Sequence, residues 1–241
     1  MFREIPEEVS QKTITFKVEE LEPLLAGPKS QLPKFEPKEA KLKTGETMLI
    51  REMKKEEVPQ ILKFIKKLID VDRDFYDIVS VRVYAELLGW YRNRLKDPFT
   101  LIGLVDGKLA GFCNGRKWDD EIAISLHTMA FKRGAKVGAI LYYTKTKYAF
   151  ETLGVNEWWS TFESYNGLKR WGIGMAQPSY PWPDYQHELG GAKVYYITRE
   201  YWDSTVNNYL EGYIGVGSIT DASEETIKKN ENLIVPEEPE V

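Results

Sequence analysis

A short basic loop at residues 133–138 is the part of the sequence whose residue types most clearly suggest chemistry. It reads Arg-Gly-Ala-Lys-Val-Gly and joins an apolar stretch to a segment with helical periodicity. A glycine-containing loop that opens a helix leaves several backbone N–H groups unpaired and directed at one point, and the helix dipole adds partial positive charge there. Arg133 and Lys136 would add two full charges. The loop therefore predicts a site for phosphate or pyrophosphate, although the same residues could also form an ordinary basic turn.

The hydrophobic pattern predicts the elements that would position this loop. Apolar residues at helical spacing predict helices over residues 56–69, 78–95 and 138–153, and a short helix begins at Asn166. Asp106-Gly107 between two apolar runs predicts a β-hairpin. The strands that we expect cover residues 47–53, 99–105, 109–114, 122–130, 158–163 and 192–199. This order predicts a mixed α/β domain of the α+β type, with one central sheet flanked by helices.

Composition divides the chain into three regions. Residues 1–46 combine five prolines with many charges, and we predict an N-terminal arm there. Residues 47–202 hold the predicted elements and form the folded domain. Residues 203–241 turn polar and end in PEEPEV, which is typical of a peripheral extension. The length of 241 residues and the apolar content of 42% suit one domain with a substantial core.

Charge and residue counts argue against several classes of function. A formal net charge of −4 gives no field that would attract nucleic acid or an anionic membrane. The single cysteine, Cys113, cannot form an internal disulfide, and two histidines sixty positions apart do not form a His-rich metal site. The first residues lack the apolar core of a signal peptide, and no run reaches the length of a membrane helix. We therefore expect a cytoplasmic, metal-free protein.

The element order and the loop resemble the GNAT superfamily, the Gcn5-related N-acetyltransferases, over roughly residues 48–202. The cofactor loop of that family reads Arg/Gln-x-x-Gly-x-Gly/Ala, and Lys136 stands where its first motif glycine is usual. The resemblance implies a mostly antiparallel sheet with two splayed strands that form a slot for acetyl-CoA or another acyl-CoA. The residues that it places along the coenzyme are Thr128, Met129, Ala130, Arg133, Gly134, Ala135, Lys136, Val137, Gly138, Ala139 and Asn166.

The resemblance also implies acyl transfer to a primary amine, which needs a base for the amine and an acid for the leaving thiolate. Many relatives use a Glu or His on the third strand and a Tyr seven residues after the Asn, where this chain has Ile173. Glu163, Tyr165 and His127 are the catalytic candidates. In a regular strand His127 faces away from Ile122 and Ile124, so a core histidine is the other interpretation. A GNAT-like module that binds coenzyme or ligand without turnover is the alternative function.

An aromatic-rich segment suggests the acceptor. Residues 171–185 contain three prolines and cannot form one regular element, so they predict either a substrate lid or a packed Ω-loop. As a lid, the segment would give an aromatic or apolar acceptor amine, a small molecule or a peptide, a pocket of rings. The predicted substrate residues are Trp158, Trp171, Tyr180, Trp182 and Tyr185. The sequence leaves open whether the protein forms a homodimer.

Overall fold

One eight-stranded sheet organises the chain, in a computed structural model that describes Glu19 and residues 32–72, 75–181, 193–215 and 219–238. The sheet has the order β7-β6-β5-β4-β3-β2-β1-β8. Its strands are β1 (Lys38–Lys41), β2 (Thr47–Glu52), β3 (Pro98–Val105), β4 (Lys108–Lys117), β5 (Ile122–Ala130), β6 (Glu157–Ser160), β7 (Tyr195–Thr198) and β8 (Ile219–Asp221). Neighbouring strands are antiparallel except β5 and β6, which are parallel. This arrangement confirms the predicted mixed, mostly antiparallel sheet.

Helices cover both faces of the sheet. They include α1 (Val58–Leu68), α2 (Tyr76–Tyr91), α3 (Val137–Lys147), α4 (Tyr165–Gly167), α5 (Asn207–Ile214) and α6 (Glu224–Lys229), besides short α, 3₁₀ and π turns at Lys55–Glu57, Tyr148–Thr152, Leu168–Ile173, Arg199–Tyr201 and Trp202–Val206. Helix α1 buries an apolar stripe that includes Ile61, Ile65 and Leu68, and it packs with α2 in a core against one face. Helices α3 and α5 pack in a second core against the other face. Among the described residues, no helix is both long and apolar enough to cross a membrane.

The predicted hairpin and the strand after it are present. Asp106 and Gly107 join β3 to β4 with positive φ angles of 51° and 78°, as a tight hairpin turn requires. Strand β5 has the predicted bounds. Helix α2 ends at Tyr91 rather than near residue 95, because the chain reverses at Asn93, whose φ of 53° is left-handed. Asparagine tolerates that conformation better than most residues, so the end is local in origin.

Both predicted extensions contribute to the sheet or its covering. β1 lies within residues 1–46 and pairs with β2, while β8 lies within residues 203–241 and pairs with β1 on its other side. Helix α5 buries Leu210 and Ile214 against the α3 face. Where the structure describes residues 203–241, they are therefore not a peripheral tail. Their polar composition misled the prediction because an edge strand and a surface helix bury only one side of their residues.

A β-bulge in β5 is the irregularity that matters for the site. Cys113 pairs with Thr128 and Gly115 pairs with Ser125, so Asn114 of β4 stands opposite both Leu126 and His127. The extra residue reverses the alternation of side chains along β5. Ala123 packs in the α3-side core, whereas His127, which would share its face in a regular strand, contacts Glu86 of α2 on the opposite face. The predicted orientation of His127 is therefore wrong.

Candidate functional site

The loop before α3 has the geometry of an anion site. Helix α3 begins at Val137, and its N-cap residue, Lys136, makes no side-chain capping bond. The N–H groups of the first helical turn have no partner within the helix. Among the described residues, a Cβ on Gly134 would meet no atom within 4 Å, and one on Gly138 would meet only the Ala130 Cβ, at 3.5 Å. Open space therefore lies beside the first N–H groups of α3.

The two cations of the loop have partners within the protein. Lys136 has a φ of 65°, a left-handed value that favours glycine and that explains why a glycine is usual there in the resembling family. Its ammonium donates to the Tyr213 carbonyl at 2.5 Å and lies 4.9 Å from the centre of that ring. The Arg133 guanidinium is exposed and donates to the Tyr76 hydroxyl of α2 at 3.2 Å. Of the two residues, Arg133 is the exposed one and therefore the more accessible cation for a bound anion.

Strands β5 and β6 separate beside this loop. Their parallel pairing ends at Ser125 and Ser160, while β5 continues to Ala130. Within the described residues, no strand pairs with the edge of β5 that holds Thr128, Met129 and Ala130 on the side of β6. The main-chain groups of that edge lie where the resemblance places a coenzyme slot. The edge of β5 at residues 128–130 and the loop before α3, which the resemblance assigns to the same coenzyme, therefore lie beside each other.

Aromatic rings narrow the splay on the α3 side. Trp171 stacks on Tyr142 of α3, with ring centres 5.2 Å apart, and meets Tyr213 edge-on at 5.4 Å. The Gln177 amide donates to the Trp171 carbonyl at 2.9 Å and fixes this turn. Trp171 is only 9% exposed. A coenzyme that entered between α3 and α4 would have to displace this stack or pass beside it.

A buried polar cluster lies at the bulge on the α2 side. The Glu86 carboxylate accepts from the Asn114 amide at 2.7 Å and lies 2.9 Å from Nδ1 of His127, both at Oε2. The His127 backbone N–H donates to Oδ1 of Asn114 at 2.8 Å. All three residues are buried. Because a carboxylate only accepts, it holds the proton of a neutral imidazole at Nδ1 and leaves Nε2 as the basic nitrogen.

An ion pair closes the other side of the splay. Nη1 of Arg82 lies 2.6 Å from Oε1 of Glu163, which follows β6, and that oxygen also accepts from the Thr161 hydroxyl at 3.1 Å. Arg82 and Glu86 are one turn apart on α2, so the helix contacts the chain on both sides of the splay. The sequence interpretation missed both residues. Glu86 stands between Val83 and Leu87 on the buried stripe of α2, and a carboxylate in such a stripe is the signal that could have identified it.

Two titratable groups lie on the α3 side of the bulge. Lys145 of α3 is 1% exposed and donates to the carbonyls of Asn114 and His127. Burial lowers the pKa of Lys145 to about 8. Burial raises the pKa of the Cys113 thiol to about 12, so that group stays protonated at neutral pH and is a poor nucleophile. Lys145 was not among the sequence candidates.

The structure does not bring the other predicted site residues together. Trp158 is fully buried, so its prediction as a substrate contact is wrong, and Trp171 packs in the core as described. Tyr165 is 66% exposed, and Asn166 beside it is also exposed. The Tyr180 hydroxyl donates to Glu157 at 2.7 Å, and the Tyr180 ring packs on Trp159 and Tyr196 at the β6–β7 edge. Trp182 and Tyr185 lie outside the described residues.

A cavity of about 540 Å³ lies away from the splay. It is bounded by α3, α5, β8 and residues 34–38. Several of its polar groups bind one another: the Tyr143 hydroxyl donates to Glu211 at 2.6 Å, Lys147 lies 3.8 Å from the same carboxylate, and Lys38 pairs with Asp221. Within the described part of the chain, no three His, Cys, Asp or Glu residues are grouped as metal ligands. The bulge and the splay therefore remain the candidate site.

Comparison with known proteins identifies the fold. No family model and no curated protein matches the sequence. A solved structure assigned as an acetyltransferase is 17% identical, with a TM-score of 0.51 over 74% of this chain and 96% of that chain. FdhC, described as a nucleotide-linked sugar GNAT, is 9% identical, with a TM-score of 0.51 over 76% of this chain and 100% of its own. RimJ of Mycobacterium smegmatis, in complex with CoA-disulfide, is 9% identical, with a TM-score of 0.50 over 77% and 97%. The chain has the fold of the GNAT superfamily.

Proposed function

We propose that this protein is an acyl-CoA-dependent N-acyltransferase that transfers an acetyl group, in the simplest case, to a primary amine. The observation that carries the proposal is the splay of β5 from β6 beside the uncapped N-terminus of α3, with the Glu86–His127 pair at the bulge. Acyltransferases with this fold support it, since RimJ was solved with a CoA derivative. The acceptor and the acyl group are part of the proposal.

The residues around the loop fit a pyrophosphate. The first-turn N–H groups of α3 would bind its oxygens and Arg133 would add a full charge, while Gly134 and Gly138 leave the backbone accessible. The β5 edge at residues 128–130 would pair with amide groups of the pantetheine arm. Bound acetyl-CoA would supply a thioester whose carbonyl carbon an amine can attack.

In this proposal the chain provides a base and a fixed position for it. Nε2 of His127 accepts the proton that the amine loses as its nitrogen bonds to the acyl carbon, and Glu86 stabilises the imidazolium through Nδ1. The C–S bond then breaks, and the leaving thiolate takes the proton from the imidazolium, departs as a thiol and restores the neutral base. Because the pair is buried, water is kept from the base, and the amine attacks the thioester without competing hydrolysis. Cys113 stays a thiol, and its Sγ faces the Leu141 carbonyl at 3.5 Å, which favours direct attack over an acyl-enzyme.

Three features of the structure favour the second candidate function, a module that binds coenzyme without turnover. Ile173 occupies the position of the usual tyrosine acid and is 67% exposed. Lys136 points to Tyr213 rather than into the anion site, and Trp171 fills part of the space between α3 and α4. A module of this kind would bind CoA and release no thiol for any amine.

Calorimetry and a thiol-release assay test the proposal in two stages. Arg133→Glu should weaken binding of CoA at least tenfold while leaving the melting temperature unchanged, whereas Arg94→Glu, the same charge reversal outside the loop, should bind CoA as the wild type does. No binding of CoA by the wild type at millimolar concentration would refute both candidates.

Turnover separates the two candidates. Thiol release from acetyl-CoA should appear with at least one member of a panel of aromatic amines, polyamines and peptides, and His127→Gln should lower kcat by roughly 10²–10⁴-fold, the range for loss of a general base. CoA binding without release across the panel would favour the module. A clear preference for polyamines would defeat the aromatic-acceptor interpretation, for which Tyr180 is the half-exposed member of the described candidates.

A further inference from the structure

Lys145 is a buried cation whose described contacts are main-chain carbonyls. Its ammonium donates to the His127 carbonyl at 2.9 Å and to the Asn114 carbonyl at 3.2 Å. The rings of Tyr142 and Trp158 lie 5.9 Å from it. Within the described residues it forms no ion pair. A methionine would fill the same space without desolvating a charge, so packing alone does not account for a lysine here.

Both carbonyls that Lys145 binds belong to the bulge. Asn114 is the β4 residue that stands opposite the doubled pair, and His127 is one member of that pair. A bulge disrupts the regular ladder and changes where its peptide groups point. Buried carbonyls need a donor, and here α3 provides one from the face opposite α2. The lysine therefore binds the irregular part of β4 and β5 at once.

His127 is fixed from three directions as a result. Its N–H donates to the Asn114 side chain, its carbonyl accepts from Lys145 and its ring contacts Glu86. These partners come from β4, α3 and α2. A core histidine needs no such control of its main chain, whereas a proton acceptor does, because a shift of about 1 Å can cost about 10²-fold in rate.

We propose that Lys145 is a positioning residue, which holds the β5 bulge so that the His127 imidazole keeps its contact with Glu86. The inference rests on the proposed function for its catalytic consequence, but the contact that it describes can be measured without turnover. Without the ammonium, the His127 and Asn114 carbonyls would lose their hydrogen-bond donor. The backbone of the bulge would then change conformation, and the contact between the His127 ring and Glu86 would weaken.

The protonation state of the Lys145 ammonium also changes within an experimentally accessible pH range. Burial lowers the pKa of Lys145 to about 8, so the cation is lost in mildly alkaline solution and the carbonyls keep only a neutral amine as donor. The titratable groups around it come from every neighbouring element: Cys113 of β4, His127 of β5, Glu86 of α2, Glu163 after β6 and Tyr142 of α3. A comparison with a Lys145 variant, or the Nζ signal of Lys145 itself, separates its titration from theirs.

The experiment compares Lys145→Met with Lys147→Met. Both remove one charge from α3, but Lys147 is partly exposed and contacts Glu151 and Glu211. We expect Lys145→Met to shift the carbonyl carbon signals of Asn114 and His127 and the ring signals of His127 in NMR spectra. CoA affinity should stay within threefold of the wild type and kcat should fall at least tenfold. Lys147→Met should change none of these. Unchanged His127 signals in a folded Lys145→Met would overturn the inference.

The outcomes separate this inference from the proposed function. If the wild type releases no thiol, the proposed function fails, but the His127 carbonyl and ring signals still decide whether Lys145 positions that residue. If Lys145→Met does not fold, the same carbonyl signals are followed in the wild type and in Lys147→Met from pH 7 to 9.5. The carbonyl signals should then shift in one step near pH 8, together with the Lys145 Nζ signal. Carbonyl signals that do not shift with the Nζ signal would refute the contact between Lys145 and the two carbonyls.

Discussion

The pH dependence of stability gives the most quantitative test of the buried Lys145 ammonium. Burial lowers its pKa from 10.5 to about 8 in the folded protein. Between these values the unfolded chain binds more protons than the folded one, so the free energy of unfolding rises with pH. The whole effect is about 3 kcal/mol, since a difference of roughly 2.5 units at 1.36 kcal/mol per unit separates the two states. The buried charge is thus a full cost to folding below pH 8, and this cost declines as the pH rises from about 8 towards the unfolded pKa of 10.5.

The size of the effect at each pH follows from the same two values. Relative to pH 7, the lysine should contribute about 1.3 kcal/mol of added stability at pH 9 and about 2.5 kcal/mol at pH 10. Other groups also contribute to the pH dependence near pH 10, among them Tyr148, because burial raises its pKa in the folded protein above its value in the unfolded chain. The quantity to compare is therefore the difference between the wild type and Lys145→Met, in which the other groups largely cancel.

Urea unfolding at pH 7, 8, 9 and 10 measures that difference. The wild type should gain about 2.5 kcal/mol on Lys145→Met between pH 7 and pH 10, whereas Lys147→Met should run parallel to the wild type. Parallel curves for the wild type and Lys145→Met would show that the ammonium is not desolvated, and the argument that its charge needs a functional reason would fail. A gain of the opposite sign would mean that a carboxylate holds the proton on Lys145.

Three further predictions concern the packing around the site. Glu86→Gln keeps an oxygen for the Asn114 amide and for Nδ1 of His127, so its stability should stay within about 1 kcal/mol of the wild type, while Glu86→Ala should lose about 2–6 kcal/mol by leaving both donors unpaired; equal denaturation midpoints would contradict these bonds. Lys136→Gly should be about 1 kcal/mol more stable than Lys136→Ala, because only glycine relieves the φ of 65°, and the usual order of the two in chemical denaturation would refute the strain. Trp171→Ala should lose about 3–5 kcal/mol in the same measurement, and a loss under 1 kcal/mol would show that the stack is not part of the core.

The parts of the fold that local chemistry determines were predictable. The Asp106-Gly107 turn, the extent of β5 and the loop into α3 depend on residues adjacent in sequence. The integration of residues 203–241 was not predictable in this way, because β8 joins the sheet by pairing with β1, about 180 positions earlier. Pairings between distant segments leave no periodic signal in either one. The same reason explains why Arg82 and Glu86 were missed, since their partners lie on other elements.

The bulge shows why the face of a strand could not be decided from alternation alone. Counting in twos from Ile122 and Ile124 sends His127 to the opposite face, and one additional residue in β5 brings it to the α2 side. Nothing in the sequence of β5 marks the doubled pair, because neither Leu126 nor His127 is a glycine. The signal lies instead in three polar residues that apolar patterns would exclude, namely Glu86 in the α2 stripe, Asn114 in β4 and Lys145 in α3. Each is buried, and the three converge on the bulge: Asn114 and Lys145 bind its peptide groups, and Glu86 binds the Asn114 and His127 side chains. Buried polar residues on separate elements therefore indicate a shared irregularity, and in this fold that irregularity lies at the point where the strands separate.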